Sequence, residues 1–107
     1  MTSQSIAIAV AAFAAMGARH VAAQTGESDV ARNLAATCAG CHGTGGASQG
    51  VFEGLAGMDK GEIIRKMRDF KTDARPATVM HQLARGYTDQ QIELIAGWYA
   101  AQRAHKE

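Results

Sequence analysis

The amino-acid sequence predicts a small all-α domain of about four helices. Apolar side chains recur at spacings of three and four residues in four separate segments, whereas no segment alternates apolar and polar residues as a β-strand does. The chain has 107 residues, which is enough for one domain. Aromatic residues make up only 6% of the chain, so the predicted core is short of large side chains and needs a further stabilising component.

Residues 1–23 are predicted to be a signal peptide that is removed from the mature chain. The apolar run IAIAVAAFAAM at 6–16 is shorter than the ~20 residues that span a bilayer, and Val21-Ala22-Ala23 suits a cleavage site. No Lys or Arg precedes this run, and a buried N-terminal helix or an uncleaved membrane anchor are the alternatives. On this prediction residues 24–107 form the domain, the protein is exported, and no stable membrane insertion follows cleavage.

The first two predicted helices cover residues 29–36 and 60–71. Ser28 is the predicted N-cap of the first helix, and Asp59 begins a capping-box pattern at the start of the second. In the second segment the apolar residues share one face. Its charged residues, Lys66 among them, are expected on the opposite face in contact with solvent.

The last two predicted helices cover residues 77–85 and 89–102. Pro76 lies at or just before the first turn of the third helix, where its fixed φ is compatible with a helix start. Thr88 and Gln91 have the spacing of a capping box at the start of the fourth. Both helices are therefore expected to begin at defined residues.

A glycine-rich stretch separates the first two predicted helices. Eight of the eleven glycines that follow residue 23 lie between Gly40 and Gly61. Glycine is frequent where the chain turns often or closely approaches another group, and a long irregular connection is unusual in so small a domain. We therefore expect this stretch to wrap around a bound group.

Both cysteines of the chain lie in one short motif, Cys38-Ala39-Gly40-Cys41-His42. The pattern C-x-x-C-H is the attachment signature of a c-type haem. Each thiol can add to one haem vinyl group, and His42 directly after the second cysteine can bind the iron axially. One motif predicts one haem c per chain, and a buried haem would supply the core volume that the few aromatic side chains do not.

Three other uses of the cysteine pair compete with covalent haem. A dithiol redox pair needs only C-x-x-C, usually between a strand and a helix, and no strand is predicted here. A zinc site needs four ligands, whereas His81 and His105 lack zinc-finger spacing. A structural disulfide is the third alternative.

A second axial ligand to the iron would come from a methionine or a histidine. Met80 is preferred because it follows a proline-containing turn, far enough from His42 for the chain to reach the other haem face. A thioether ligand is typical of cytochromes c and raises the reduction potential. Met67 falls on the apolar face of a predicted helix and is expected in the core. His81, Met58 and an open iron site remain as alternatives.

The sequence resembles class I c-type cytochromes over nearly all of residues 28–105. The resemblance implies a small fold in which the first and last helices cross at one haem edge. It also implies that Cys38 and Cys41 form thioether bonds, that His42 is the proximal iron ligand and that Met80 is the distal one. Four segments carry it: LAATCAGCHG at 34–43, LAG at 55–57, ATVM at 77–80 and LIAGWY at 94–99.

A narrower resemblance is to the cytochrome subunit of flavocytochrome c sulfide dehydrogenases. It rests on FK at 70–71, ATVM at 77–80 and GYTDQQI at 86–92. One difference from many class I cytochromes concerns the proximal histidine. Their proline, whose carbonyl oxygen accepts a hydrogen bond from the imidazole, has no counterpart in GVFEG at 50–54. We expect another carbonyl oxygen, in a looser loop, to accept that hydrogen bond.

The resemblance implies an electron-transfer protein rather than an enzyme. The expected role is that of a periplasmic free carrier or of the electron-accepting subunit of a flavocytochrome-type sulfur oxidoreductase, with redox proteins, a flavoprotein subunit among them, as partners. A net charge of +1 excludes a nucleic-acid binder that depends on a general basic surface. The alternatives are a haem enzyme or gas sensor with an open or bis-histidine site, and a small interaction domain with a disulfide.

Overall fold

The computed structural model describes residues 26–104, and this part of the chain is helical, with no strand. The all-α class predicted from the sequence is thus confirmed. Within these residues no helix has the length and apolar character needed to cross a membrane. The predicted signal peptide, residues 1–23, lies outside the described residues. The elements are α1 (Glu27–Ala36), α2 (Ala39–His42), a 3₁₀ turn (Thr44–Gly46), α3 (Lys60–Lys71), α4 (Met80–Arg85) and α5 (Asp89–Ala100).

The helix starts follow the predicted capping residues in two of the four cases. Asp59 caps α3 by accepting a hydrogen bond from the backbone N–H of Glu62 at 3.1 Å, and α5 begins with the predicted reciprocal capping box. The predicted cap of α1 is wrong. Helix α1 begins two residues early, its N-cap is Gly26 rather than Ser28, and no side chain caps it.

Helix α4 begins three residues later than the sequence pattern indicates, and α2 was not predicted. Residues 77–79 are not helical, and Val79, the N-cap, has a φ of −137°. These residues line a cavity instead of continuing the helix. Helix α2 has only four residues, which is too short to show a helical period in the sequence.

The core is formed where α1 packs on α5 and where α3 packs on both α4 and α5. Ala35 of α1 and Ala96 of α5 are fully buried, and such small side chains allow close helix packing. This agrees with the expectation that the first and last helices pack together. The buried core residues are Ala35, Ile63, Met67, Ala84, Ile92, Ile95, Ala96 and Tyr99.

Gly46 connects the glycine-rich stretch to helix α5. Its φ is +78°, a conformation that favours glycine. Its carbonyl oxygen accepts hydrogen bonds from the N–H groups of Leu55 and Ala56 at 2.9 and 3.2 Å. A Cβ atom at this position would lie 2.7 Å from both the Ala56 nitrogen and Cδ1 of Tyr99. The absence of a side chain at residue 46 therefore lets the turn and residues 55–56 pack against Tyr99 of α5.

Candidate cofactor site

A cavity of about 670 Å³ opens between the glycine-rich stretch, helix α3 and residues 76–80. Its volume falls within the ~300–1,000 Å³ typical of ligand pockets. All four residues that the sequence analysis selected, Cys38, Cys41, His42 and Met80, line this one cavity. The glycine-rich stretch forms part of the wall, as expected for a segment that wraps around a bound group. The apolar wall residues are Phe52, Leu55, Met58, Ile63, Met67, Phe70, Pro76, Ala77, Val79, Leu83 and Ile95.

Helix α2 holds the cysteine motif in one tight turn. The backbone N–H of His42 donates to the carbonyl oxygen of Cys38 at 3.0 Å. Cys38 is half-buried, Cys41 is exposed, and neither is in a disulfide. Burial raises the pKa of the Cys38 thiol, against an opposing effect of its hydrogen bond to Thr37. The single turn thus brings two free thiols and an imidazole to the same wall of the cavity.

The imidazole of His42 has a defined hydrogen-bond partner. Its Nδ1 lies 2.6 Å from the carbonyl oxygen of Glu53. Because a carbonyl oxygen only accepts, Nδ1 carries the hydrogen and the lone pair of Nε2 is left for a metal. Glu53 belongs to residues 50–54, the segment without a proline, so another carbonyl does occupy the expected acceptor position.

Three thioether side chains line the cavity, from Met58, Met67 and Met80. Met67 is 7% exposed and belongs to the core, as predicted. Met58 and Met80 are half-buried against the core. His81, the histidine alternative for the second ligand, is absent from the residues that line the cavity. Met58 and Met80 are thus the two thioethers of the cavity wall that are not fully buried in the core.

Polar residues of the cavity wall that sequence reasoning did not select include Thr37, Glu53 and Lys66. The Thr37 hydroxyl donates to the Leu34 carbonyl oxygen at 2.9 Å and lies 2.6 Å from the Tyr87 hydroxyl. The expectation that Lys66 faces solvent is wrong, because its side chain is 17% exposed and binds Glu53. The position of Thr37 directly before the motif could have marked it as a residue of the site. No feature of the sequence indicated that Lys66 lines the cavity.

The arrangement fits haem c. Two thiols at the C-x-x-C spacing, an imidazole with its Nε2 lone pair free and half-buried thioethers meet at one apolar cavity. These are the groups from which c-type haem proteins build covalent attachment and axial ligation. Among residues 26–104, no cluster of three or more His, Cys, Asp and Glu side chains is placed to hold a bare metal ion. The fold and the site together are those expected of a c-type cytochrome.

Comparison with known proteins gives relatives of the same class, although no family model matches the chain. The chain is 42% identical to the cytochrome subunit of sulfide dehydrogenase from Chlorobaculum tepidum over 66 residues, which are 62% of this chain and 60% of that protein. It is 30% identical to cytochrome c-552 from Acidithiobacillus ferridurans over 79% of this chain and 39% of the relative. It is 32% identical to the thiosulfate dehydrogenase electron acceptor of Stutzerimonas stutzeri over 69% of this chain and 35% of the relative.

These similarities agree with the helical fold and the site: the chain is similar to class I c-type cytochromes, and its cavity fits haem c. The chain spans less than two thirds of the length of each of these relatives. The relatives are named as cytochromes and as an electron acceptor.

Proposed function

We propose that this protein is a periplasmic electron-transfer protein with one covalently bound haem c. Cys38 and Cys41 form the two thioether bonds, His42 is the proximal iron ligand and Met80 is the distal one. The observation that carries the proposal is that these residues, from two separate parts of the chain, line the same apolar cavity. When bound, haem c supplies an iron that alternates between the ferric and ferrous states.

The side chains around the cavity suit electron transfer rather than bond chemistry. Two protein ligands leave no iron position for a substrate, and apolar walls limit the access of water. The hydrogen bond from Nδ1 of His42 to Glu53 fixes the ring and makes the imidazole a stronger donor. A neutral thioether from Met80 favours the ferrous state and raises the reduction potential.

The identity of the second ligand is tested by spectroscopy of the holoprotein, produced with covalent haem attachment. Ferric wild-type protein and the Met58→Ala variant are expected to show the absorption band from methionine sulfur to ferric iron, and Met80→Ala to lose it. Met58 is the matched control because its thioether is also half-buried at the cavity. Loss of the band in Met58→Ala with retention in Met80→Ala would reverse the assignment.

The same samples separate the alternative functions. A wild-type protein that lacks the band and binds carbon monoxide readily once reduced would be a haem enzyme or gas sensor instead. A pyridine haemochrome assay without covalently held haem would point to a small interaction domain. The carrier proposal requires covalent haem, the band, and slow carbon monoxide binding.

We also propose a role in sulfur oxidation, as a free carrier or as the electron-accepting subunit of a flavocytochrome-type oxidoreductase. Support comes from the similarity to a cytochrome subunit of sulfide dehydrogenase and to a thiosulfate dehydrogenase electron acceptor. The predicted signal peptide supports the periplasmic location. Co-purification of the native protein with a flavoprotein, and reduction of its haem by sulfide only in that complex, would support the subunit role. Isolation of the cytochrome alone would favour the free carrier.

A further inference from the structure

We propose that the ion pair between Glu53 and Lys66 holds the carbonyl oxygen that orients the proximal imidazole. Lys66 is then a positioning residue that tunes the reduction potential without touching His42. This inference rests on the proposed function in one respect, the assignment of His42 as an axial ligand. It assigns to a residue of helix α3 a role in orienting that ligand.

Glu53 contacts one partner through its backbone and another through its side chain. Its backbone carbonyl oxygen accepts the hydrogen bond from Nδ1 of His42 at 2.6 Å. Its carboxylate accepts a hydrogen bond from the ammonium group of Lys66 at 2.5 Å. The ion pair therefore restrains the same residue whose carbonyl oxygen holds the imidazole.

The loop that contains Glu53 has few other attachments. Residues 51–54 take part in none of the backbone–backbone hydrogen bonds found among the described residues outside the helices. Val51 is 95% exposed and Phe52 is 49% exposed. The next backbone attachment is at Leu55, whose N–H donates to Gly46. Among the described residues, the polar contacts that fix Glu53 are thus the ion pair to Lys66 and the hydrogen bond from His42.

Lys66 itself is firmly held. It lies within the twelve-residue helix α3, next to the core residue Met67. Its side chain is only 17% exposed and forms a second ion pair, at 3.3 Å, with Glu62 one turn earlier. The ammonium group is thus fixed relative to the core, and its ion pair restrains the carboxylate of Glu53.

The expected consequence is an effect on the iron through the imidazole. A hydrogen bond donated by Nδ1 raises the basicity of a histidine ligand, and a stronger donor stabilises ferric iron. Loss of the ion pair lets the Glu53 carbonyl move and weakens that hydrogen bond. The reduction potential should therefore rise when either member of the pair is changed.

The experiment compares holoprotein carrying Lys66→Met, Glu53→Gln, both changes together, and Arg65→Met as the charge-matched control on the same helix. Midpoint potential is measured by redox titration, and exchange of the His42 Nδ1 proton by NMR of the ferric protein. Both single variants should shift the potential upward, with exchange about two- to fivefold faster, as expected for a partly exposed ion pair. The double variant should match the singles, and Arg65→Met should change little, because Arg65 is exposed and does not line the cavity.

The sign of the shifts separates this mechanism from a direct charge effect. Removal of a positive charge near the iron by Lys66→Met lowers the potential through Coulomb interaction, whereas removal of a negative charge by Glu53→Gln raises it. Shifts of opposite sign, additive shifts in the double variant, or unchanged proton exchange would overturn the inference. A wild-type protein without a haem-ligated imidazole signal would instead overturn the proposed function, and this inference with it.

Discussion

The phenol of Tyr99 in α5 donates a 2.5 Å hydrogen bond to the backbone carbonyl oxygen of Ala35 in α1. Both residues are fully buried, and burial raises the pKa of Tyr99, so the phenol remains a donor over the ordinary pH range. Ala35 lies three residues before Cys38, the first cysteine of the attachment motif. The bond therefore ties the C-terminal helix to the start of the cofactor site.

Replacing Tyr99 by Phe should lower the free energy of unfolding by about 1 kcal/mol, the usual net value of one internal hydrogen bond. The loss is moderate because the Ala35 carbonyl oxygen also accepts from the Cys38 N–H. Denaturant unfolding of the ferric holoprotein measures it. Tyr87→Phe is the control, since its partner Thr37 is exposed to water. Equal stabilities of Tyr99→Phe and wild type would refute this account.

Gly46→Ala should destabilise the protein more than Gly45→Ala. Both residues have positive φ values, +78° and +64°, so each variant bears the cost of ~1–2 kcal/mol for a left-handed residue. A Cβ at Gly45 meets no atom within 4 Å, whereas a Cβ at Gly46 would collide with Ala56 and Tyr99. Overpacking of this kind typically adds ~1–3 kcal/mol. Thermal unfolding of the two variants side by side gives the difference, and equal melting temperatures would show that the turn adapts.

Thr88→Ala should cost about 1 kcal/mol of stability, as is usual for the loss of an N-cap. The Thr88 hydroxyl accepts from the Gln91 N–H at 3.1 Å, and the Gln91 side chain accepts from the Thr88 N–H at 2.9 Å. Ser28→Ala is the matched control, because Ser28 lies inside α1 and caps nothing. Its stability should stay within ~0.5 kcal/mol of wild type. A larger loss at Ser28 than at Thr88 would contradict the helix starts described above.

The stabilising contribution of Lys66 should disappear in strongly alkaline solution. Its hydrogen bond to Glu53, with a further one to Glu62, raises the pKa of Lys66 above its ordinary value of 10.5. A group with a higher pKa in the folded than in the unfolded chain stabilises the fold while it is protonated. That contribution is complete below the unfolded pKa and is lost as pH rises through the folded pKa.

The difference in unfolding free energy between wild type and Lys66→Met should therefore be constant near neutral pH and shrink above a pH of about 10.5. Denaturant titrations of both proteins at a series of pH values measure this difference. A difference that grows with pH would show that the ion pair does not contribute as described.

Much of the fold was predictable because the signals are local. Asp59 and Thr88 mark helix starts through hydrogen bonds that span three residues, and α3 has the predicted bounds. The prediction went wrong where local pattern and packing disagree. Residues 77–79 have a composition compatible with a helix, yet they form a wall of the cavity, and α4 begins only at Met80.

The candidate site was predictable only in part. The motif Cys38–His42 is contiguous, so its chemistry could be inferred from residue order alone. Lys66 could not be identified as a residue of the site, because its place in the helix pattern is that of a solvent-exposed position. Its partner Glu53 lies thirteen residues earlier, in an irregular loop. Only folding of that loop onto α3 brings the two charges together.

By itself, the sequence determined that this is a helical protein with a C-x-x-C-H attachment motif, because helix periodicity, caps and motif spacing depend on residues a few positions apart. The tertiary structure alone decided that Met80 shares a cavity with His42, that Glu53 is the acceptor for its imidazole and that Lys66 binds Glu53. These contacts join residues distant in sequence. They depend on how the glycine-rich stretch packs against α3 and α5, which no local pattern encodes.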